Sequence, residues 1–265
     1  MSEPIVMGIM NITPDSFYAG SRVSQTSNVI EKATKMIAEG AVIIDVGGQS
    51  TRPGSKHLSA EEELQRVLPA IEAIRSVSNE VFISIDTFYA QIAKQCVLAG
   101  ADMVNDISSG NMDAEMIATV ARLKVPYISM HMQGTPQTMQ INPQYNNLVA
   151  DLLDYFIKKL ESYKLAGIKD VIIDPGFGFG KTIPQNFELL KKFSAFKILG
   201  KPLLAGLSRK GTIYKTLGIT AEEALNGTTA LNTIALLNGA HILRVHDVKE
   251  AMEAIKLVQQ LSLAG

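Results

Sequence analysis

The chain has 265 residues, 46% of them apolar, and a formal net charge of −1. Such a length fits one large domain or two small ones, and the near-neutral balance offers no basic field to draw nucleic acid. The single cysteine, Cys96, excludes a disulfide scaffold and a cysteine-based zinc site and fits a reducing compartment; no apolar run approaches the ~18–20 residues that span a bilayer.

The N-terminus, MSEPIVMGIM, lacks the charged-then-apolar order of a secretory leader, so a cytoplasmic protein is expected. Within it IVMGIM (Ile5–Met10) predicts a first strand. The stretch NITPDSFYAGSRVSQ that follows is long and has no periodicity, and Asp15 in its TPDSF reads as a turn former. Val29, Ile30, Ala33, Met36 and Ile37 then form one helical stripe. EGAVIIDVG, from Glu39, predicts the second strand, and GGQSTRPGSKH is a second long loop. Ser59 and Glu62 have the spacing of a capping box ahead of the stripe Leu64, Val67, Leu68, Ile71 and Ile74. Further strands are predicted at VFISID (Val81–Asp86), AGADMVNDI from Ala99, VPYISM (Val125–Met130), AGIKDVIIDPG from Ala166, PLLAGL (Pro202–Leu207) and NGAHILRVHD from Asn238. Thr220 with Glu223, and Asp247 with Glu250, predict two more helix starts.

Four of these segments are variants of one unit, a glycine followed by a short apolar run and then Asp, Asn or His. The glycines Gly40, Gly100, Gly167 and Gly239 are 60, 67 and 72 residues apart. A glycine just past a helix end closes the helix, and a short Val/Ile-rich run after it is a buried strand. Eight such strands alternating with helical stripes imply a parallel sheet covered by helices, and the count and length fit a closed (β/α)8 TIM barrel of the α/β class. An open doubly wound sheet is the rival architecture. With no linker or composition break, residues 1–265 are read as a single domain.

Chemistry in such a barrel sits at the carboxyl ends of the strands. Those ends carry Asn11, Asp45, Asp86, Asn105, His131, Asp174, Ser208 and His246. So many polar groups are compatible with burial only if they bind one another or a polar ligand. Asp45 reads equally as a structural group, capping a helix or orienting a neighbour, and as part of the ligand site, and His131 reads as a core histidine. Arg22, Arg52, Arg209, Lys210 and Arg244 fall in the same loops or strand ends, and Arg244 lies two residues before His246, hence on the same face of its strand. An anionic ligand, most simply a phosphate ester, explains that gathering of cations.

The segment DPGFGFGK-Thr (Asp174–Thr182) looks like a phosphate loop but fails the pattern. Only three residues separate Gly176 from Gly180, Pro175 stands where the first glycine belongs, and Pro184 puts the helix start after Lys181. Its glycines instead allow a sharp turn that leaves Asp174 pointing inward beside a phenylalanine, an arrangement suited to a flat heterocycle whose N–H groups a carboxylate can accept in parallel.

VMGIMNITPDSF, DVGGQSTRPG, ISIDT, VNDIS, MHMQGTP, DPGFGFGK, SRKG and RVHDV occur in this order, one per strand end. Together they resemble bacterial dihydropteroate synthase over nearly the whole chain. The resemblance implies condensation of 6-hydroxymethyl-7,8-dihydropterin pyrophosphate with 4-aminobenzoate, giving 7,8-dihydropteroate and pyrophosphate. It implies that Asp86, Asn105, Asp174 and Lys210 bind the pterin, and that Asn11, Thr51, Arg52, Arg244 and His246 hold the pyrophosphate, Asn11 through Mg²⁺. Phe17, Thr51, Pro53, Phe179 and Ser208 would form the 4-aminobenzoate pocket, with Asp86, Lys210, Arg244 and His246 carrying the chemistry. A homodimer and sulfonamide sensitivity are further expectations. Gln49 stands for a common glutamate, Tyr18-Ala19 for Ser-Asp, and Gly211-Thr212 for a Ser-aromatic or Ser-Met pair. A corrinoid-system methyltransferase shares the pterin-reading Asp and Asn but has no use for STRPG, SRK and RVH; an inactive pterin-binding paralogue is the other reading.

Overall fold

The computed structural model describes residues 3–12, 22–49, 58–139 and 141–264. The strands are β1 (Ile5–Asn11), β2 (Ile43–Gly47), β3 (Phe82–Asp86), β4 (Met103–Asp106), β5 (Tyr127–Met130), β6 (Val171–Asp174), β7 (Leu204–Ala205) and β8 (Ile242–Val245). Between and after them run α1 (Arg22–Ala38), α2 (Ala60–Val77), α3 (Ala90–Leu98), α4 (Met116–Leu123), α5 (Leu148–Ala166), α6 (Ile183–Lys191), α7 (Gly211–Leu217), α8 (Leu225–Leu237) and α9 (Val248–Leu263), with a 3-10 helix at Phe193–Leu199. Strand order is β6-β5-β4-β3-β2-β1-β8-β7, all parallel. A bridge between Ile173 and Leu203 joins the two outer members. The sheet is therefore closed into a (β/α)8 barrel, and the open-sheet alternative falls.

Local chemistry explains most element boundaries. The four repeat glycines all have positive φ, and Gly167, at φ 92°, closes α5 by donating to Lys164 and Tyr163 carbonyls. Ser59 and Glu62 form the expected reciprocal box at the start of α2. Thr182 and Gln185 form a second one on α6, which begins after Lys181 as Pro184 required. Two expected helix starts differ. Thr220 does bond Glu223, but in a turn ahead of α8, which starts five residues later at Leu225. Asp247 precedes α9 without capping it, because its carboxylate is taken by Arg209. β7 is also shorter than the predicted Pro202–Leu207, since only Leu204 and Ala205 keep ladder pairing with β8.

Two apolar layers result. Residues facing outward from the strands, among them Ile44, Val46, Ile83, Ile85, Val104 and Leu243, pack with the helix stripes into the main core. Inside the barrel, Met7, Ile43, Met103, Ile128, Ile172, Leu204 and Ile242 form a separate plug drawn from seven of the eight strands. Because side chains alternate along a strand, the next inward position on each strand lies two residues further on. On β2, β4, β6 and β8 those positions carry polar side chains.

Candidate active site

Two residues past the plug stand Asp45, Asn105, Asp174, Gly206 and Arg244, on β2, β4 and β6, just past β7, and on β8. On β3, Asp86 stands beside Asn105 in register. Asp45, wholly buried, is the hub: its Oδ2 accepts from Asn105 Nδ2 at 3.0 Å and from Arg244 Nε at 2.6 Å. Arg244 Nη2 donates to Asp86 Oδ2 at 2.6 Å, so one guanidinium reaches from β8 to both carboxylates. Nε and Nη2 are thus taken, and Nη1 has no hydrogen-bond partner among the described residues. Gly206 keeps the floor open. A Cβ there would meet Lys210 Nζ at 3.6 Å, Asp174 Oδ2 at 3.9 Å and Arg244 Cβ at 4.0 Å, which also shows that these three side chains converge.

The β6–α6 loop forms one wall. Asp174 Oδ1 accepts from Gly176 N at 2.8 Å, and Lys210 Nζ donates to Phe177 O at 2.6 Å while lying 4.7 Å from the centre of the Phe179 ring. Gly176 has φ 75°, and a Cβ on it would fall 2.0 Å from His131 O, so no other residue fits there. Across the mouth, Ser208 Oγ lies 3.0 Å from His246 Nδ1 and accepts from His246 N. His246 is exposed and Ser208 buried. Asn11 is exposed at the end of β1.

The charges are mutually dependent. Burial raises Asp86 to about 7 although the Arg244 charge opposes it, and neighbouring Asp45 adds to the rise. Burial raises Asp174 as well, against the pull of Lys210, the Gly176 N–H and Arg244. Burial lowers Lys210 to about 8, with Asp174 opposing. Burial by itself would lower Arg244, but Asp45 and Asp86 outweigh it, so the guanidinium stays charged.

The structure therefore brings Asp86, Asn105, Asp174, Lys210, Arg244, His246, Ser208 and Phe179 to one rim, with Asn11 at its edge. Phe17, Thr51, Arg52 and Pro53, together with Tyr18 and Ala19, lie outside the described residues, as does the side chain of Arg22. Arg209 does not join the rim: it is held by Asp247 and by the Ala221 and Glu222 carbonyls. Gln49, in place of a glutamate, keeps an acceptor at the base of the second loop, where its Oε1 receives Leu58 N at 3.1 Å. Gly211 opens α7 directly after Lys210, and Thr212 is buried. His131 is a satisfied core histidine, as its bland reading held. Sequence reasoning left Asp45 undecided and missed Lys181, which is buried beneath the β6–α6 loop. The signal for Asp45 was available, since it stands two residues past the plug residue Ile43, as Asn105 does past Met103.

A rim that joins carboxylate acceptors for a heterocycle edge to cations for an anionic tail defines the class, a barrel enzyme acting on pterins. The sequence profile of the family described as "Pterin binding enzyme" matches residues 7–246, and the chain belongs to that family. Within it the relatives include dihydropteroate synthases. The one from Escherichia coli strain K12 is 44% identical over 261 residues, covering 98% of this chain and 92% of its own. The Yersinia pestis dihydropteroate synthase in complex with a sulfonamide drug superposes with a TM-score of 0.93 at 39% identity, covering 99% of this chain and 96% of that one. The Xanthomonas albilineans dihydropteroate synthase in complex with 7,8-dihydropteroate gives a TM-score of 0.89 at 34% identity, covering 100% and 95%.

Proposed function

We infer that the chain catalyses dihydropteroate synthesis, joining 6-hydroxymethyl-7,8-dihydropterin pyrophosphate to 4-aminobenzoate with release of pyrophosphate. The observation that carries this is the convergence of Asp86, Asn105, Asp174, Lys210 and Arg244 above one apolar plug. Asp174 and Asn105 take the pterin's amino-pyrimidine edge. Asn105 is suited to this because its amide nitrogen is fixed on Asp45, which turns its carbonyl oxygen to the ligand. Lys210 covers the ring and reaches its carbonyl, with Phe179 beside it.

Pyrophosphate leaves only if its growing charge is neutralised. Arg244, through Nη1, and His246, held at the mouth by Ser208, supply charge from the described rim, and Thr51 and Arg52 are expected to add to it from the second loop. The carbon left behind is electron-poor, and the pterin ring shares that deficit; an ionised Asp86 stabilises it. We therefore favour a dissociative path in which the neutral arylamine arrives as pyrophosphate departs. No base is needed to activate such an amine. Ser208 and Phe179, together with Phe17, Thr51 and Pro53, are assigned to the 4-aminobenzoate pocket, where a sulfonamide would compete.

Among the described residues no cluster of three or more His, Cys, Asp or Glu could hold a metal ion. The single exposed amide of Asn11 fits a Mg²⁺ ion that keeps water and pyrophosphate oxygens as its main ligands, as this ion usually does. When bound it would supply positive charge to the leaving group. A homodimer is supported by α8, whose outer side exposes Ile234 and Leu237, with Leu217 of α7 also exposed. A cytoplasmic location is supported by the single buried cysteine, and no described helix is long and apolar enough to cross a membrane. The deciding experiment is pyrophosphate release from the pterin substrate, with and without 4-aminobenzoate. Release accompanied by dihydropteroate formation when the arylamine is present supports the assignment; none under either condition leaves the methyltransferase or inactive-binder reading standing.

A further inference from the structure

The lysine of the GKT triplet, Lys181, is only 2% exposed and carries no assigned role. Its Nζ lies 2.9 Å from Gly176 O, 3.0 Å from Phe179 O and 3.1 Å from His131 Nδ1, with His131 O a more distant fourth at 3.4 Å. No carboxylate lies within ion-pair distance of it among the described residues. Three short contacts to carbonyls and an imidazole nitrogen call for three N–H donors, hence an ammonium ion rather than an amine. His131 is then neutral and accepts through Nδ1, consistent with its fall to about 3 through burial and the nearby Lys181 charge.

The arrangement is a phosphate loop turned inside out. Gly176, Gly178 and Gly180 all take positive φ, at 75°, 81° and 63°. In a phosphate loop such backbone points N–H groups at an anion. Here the carbonyls of Gly176 and Phe179 point at a cation of the same loop. The elements so fixed belong to the ligand wall: Gly176 N holds Asp174 Oδ1, Phe177 O seats Lys210 Nζ, and Phe179 faces that same ammonium.

We propose that Lys181, with His131 as its acceptor, is a positioning residue for the pterin site, shaping the β6–α6 loop from within so that Asp174, Lys210 and Phe179 meet the pterin together. The proposal rests on the pterin reading above. The charged groups facing this pair are Asp174 on β6 and Lys210 after β7, with the Tyr145, Tyr155 and Phe156 rings around His131. Burial lowers Lys181 to about 7, with Asp174 opposing and Lys210 adding to the fall. Removing the ammonium leaves the Gly176 and Phe179 carbonyls without their donor, so the loop that seats Asp174, Lys210 and Phe179 loses its internal anchor and a variant should bind a pterin poorly.

The test is K181M, with affinity for 6-hydroxymethyl-7,8-dihydropterin measured by calorimetry from pH 6.5 to 9. The ratio of variant to wild-type dissociation constants should be about tenfold or more at pH 6.5, where Lys181 carries its charge, as for the loss of a charge-assisted hydrogen bond, and fall severalfold by pH 9 as the wild-type lysine loses its proton through about 7. A ratio independent of pH, or no loss, overturns the proposal. If K181M does not fold, ¹⁵N NMR of the wild-type lysine ammonium groups at pH 6.5 decides. A slowly exchanging NH₃⁺ signal coupled to the His131 ring supports it, and a neutral Lys181 amine refutes it. Failure of wild type to bind the pterin would instead count against the function assigned above, and the NMR result is independent of any ligand.

Discussion

Replacing Arg244 with Gln removes the one group that bridges Asp45 and Asp86. Asp45 is fully buried, and its Oδ1 already lacks a hydrogen-bond partner. After the change, Oδ2 keeps only the Asn105 bond, and Asp86 loses its Arg244 partner at 2.6 Å. Breaking a buried pair by removing one member costs about 3–5 kcal/mol, chiefly because the other charge stays behind. R244Q should therefore lower urea-unfolding stability by about that amount and the melting temperature by roughly 10 °C for a chain of this size. The double variant D45N/R244Q should recover about 2 kcal/mol, the coupling expected of residues in one network. Pyrophosphate release should be abolished in both, as the role proposed for Arg244 at the leaving group requires. Stability of R244Q within about 1 kcal/mol of wild type, or a double variant no better than the single, would refute the view that these charges are a single unit.

Three further outcomes are expected. D86N should cut kcat by at least about a hundredfold while weakening pterin binding only a few-fold, as an interaction made mainly in the transition state would; equal losses in both would count against the dissociative path. The pH profile of kcat/KM should be bell-shaped. Activity rises as Asp86 ionises through about 7 and falls as Lys210 loses its proton through about 8, and D86N should lose the acid limb. Glu63 on α2 is buried, and burial lifts it from 4.5 to about 7 against the pull of the Thr87 hydroxyl and the Arg66 charge. Its folded-state pKa is raised, so its stability is intact below pH 4.5 and declines as the pH rises towards 7. E63Q should match wild type near pH 4.5 and gain up to about 3 kcal/mol over it at pH 8, as read from denaturant midpoints at the two pH values.

Strands were legible because a continuous Val/Ile run after a glycine has few other homes, and the strand ends followed from the period of two. Asn105, Asp174 and Arg244 could be placed on one rim for the same reason. What the sequence did not disclose is partner choice. Arg209 looked like a rim cation, yet the nearest carboxylate was Asp247, which lost its capping role to that pairing. Thr220 and Glu223 met as their spacing required, but the following residues did not continue into a helix until Leu225. Lys181 was set aside correctly as a phosphate ligand, but its actual acceptors are backbone carbonyls, whose direction depends on dihedral angles that no residue type announces. The 3-10 helix at Phe193–Leu199 arises because Phe193 and Phe196 are both buried three residues apart, a spacing shared with an α-helix stripe.

The cylinder has a seam. β7 holds two residues, and among the described residues the β-pairing that ties its segment to β6 is the single bridge from Ile173 to Leu203. Asp174 stands on one lip of that seam and Lys210 just beyond the other, with Lys210 bonded to Phe177 O across the join. On the reading proposed above, a bicyclic pterin clasped by both side chains would act as a rivet there. Amide exchange along β6 and β7 should accordingly slow when the pterin binds, so that filling the site and completing the wall around it are one event.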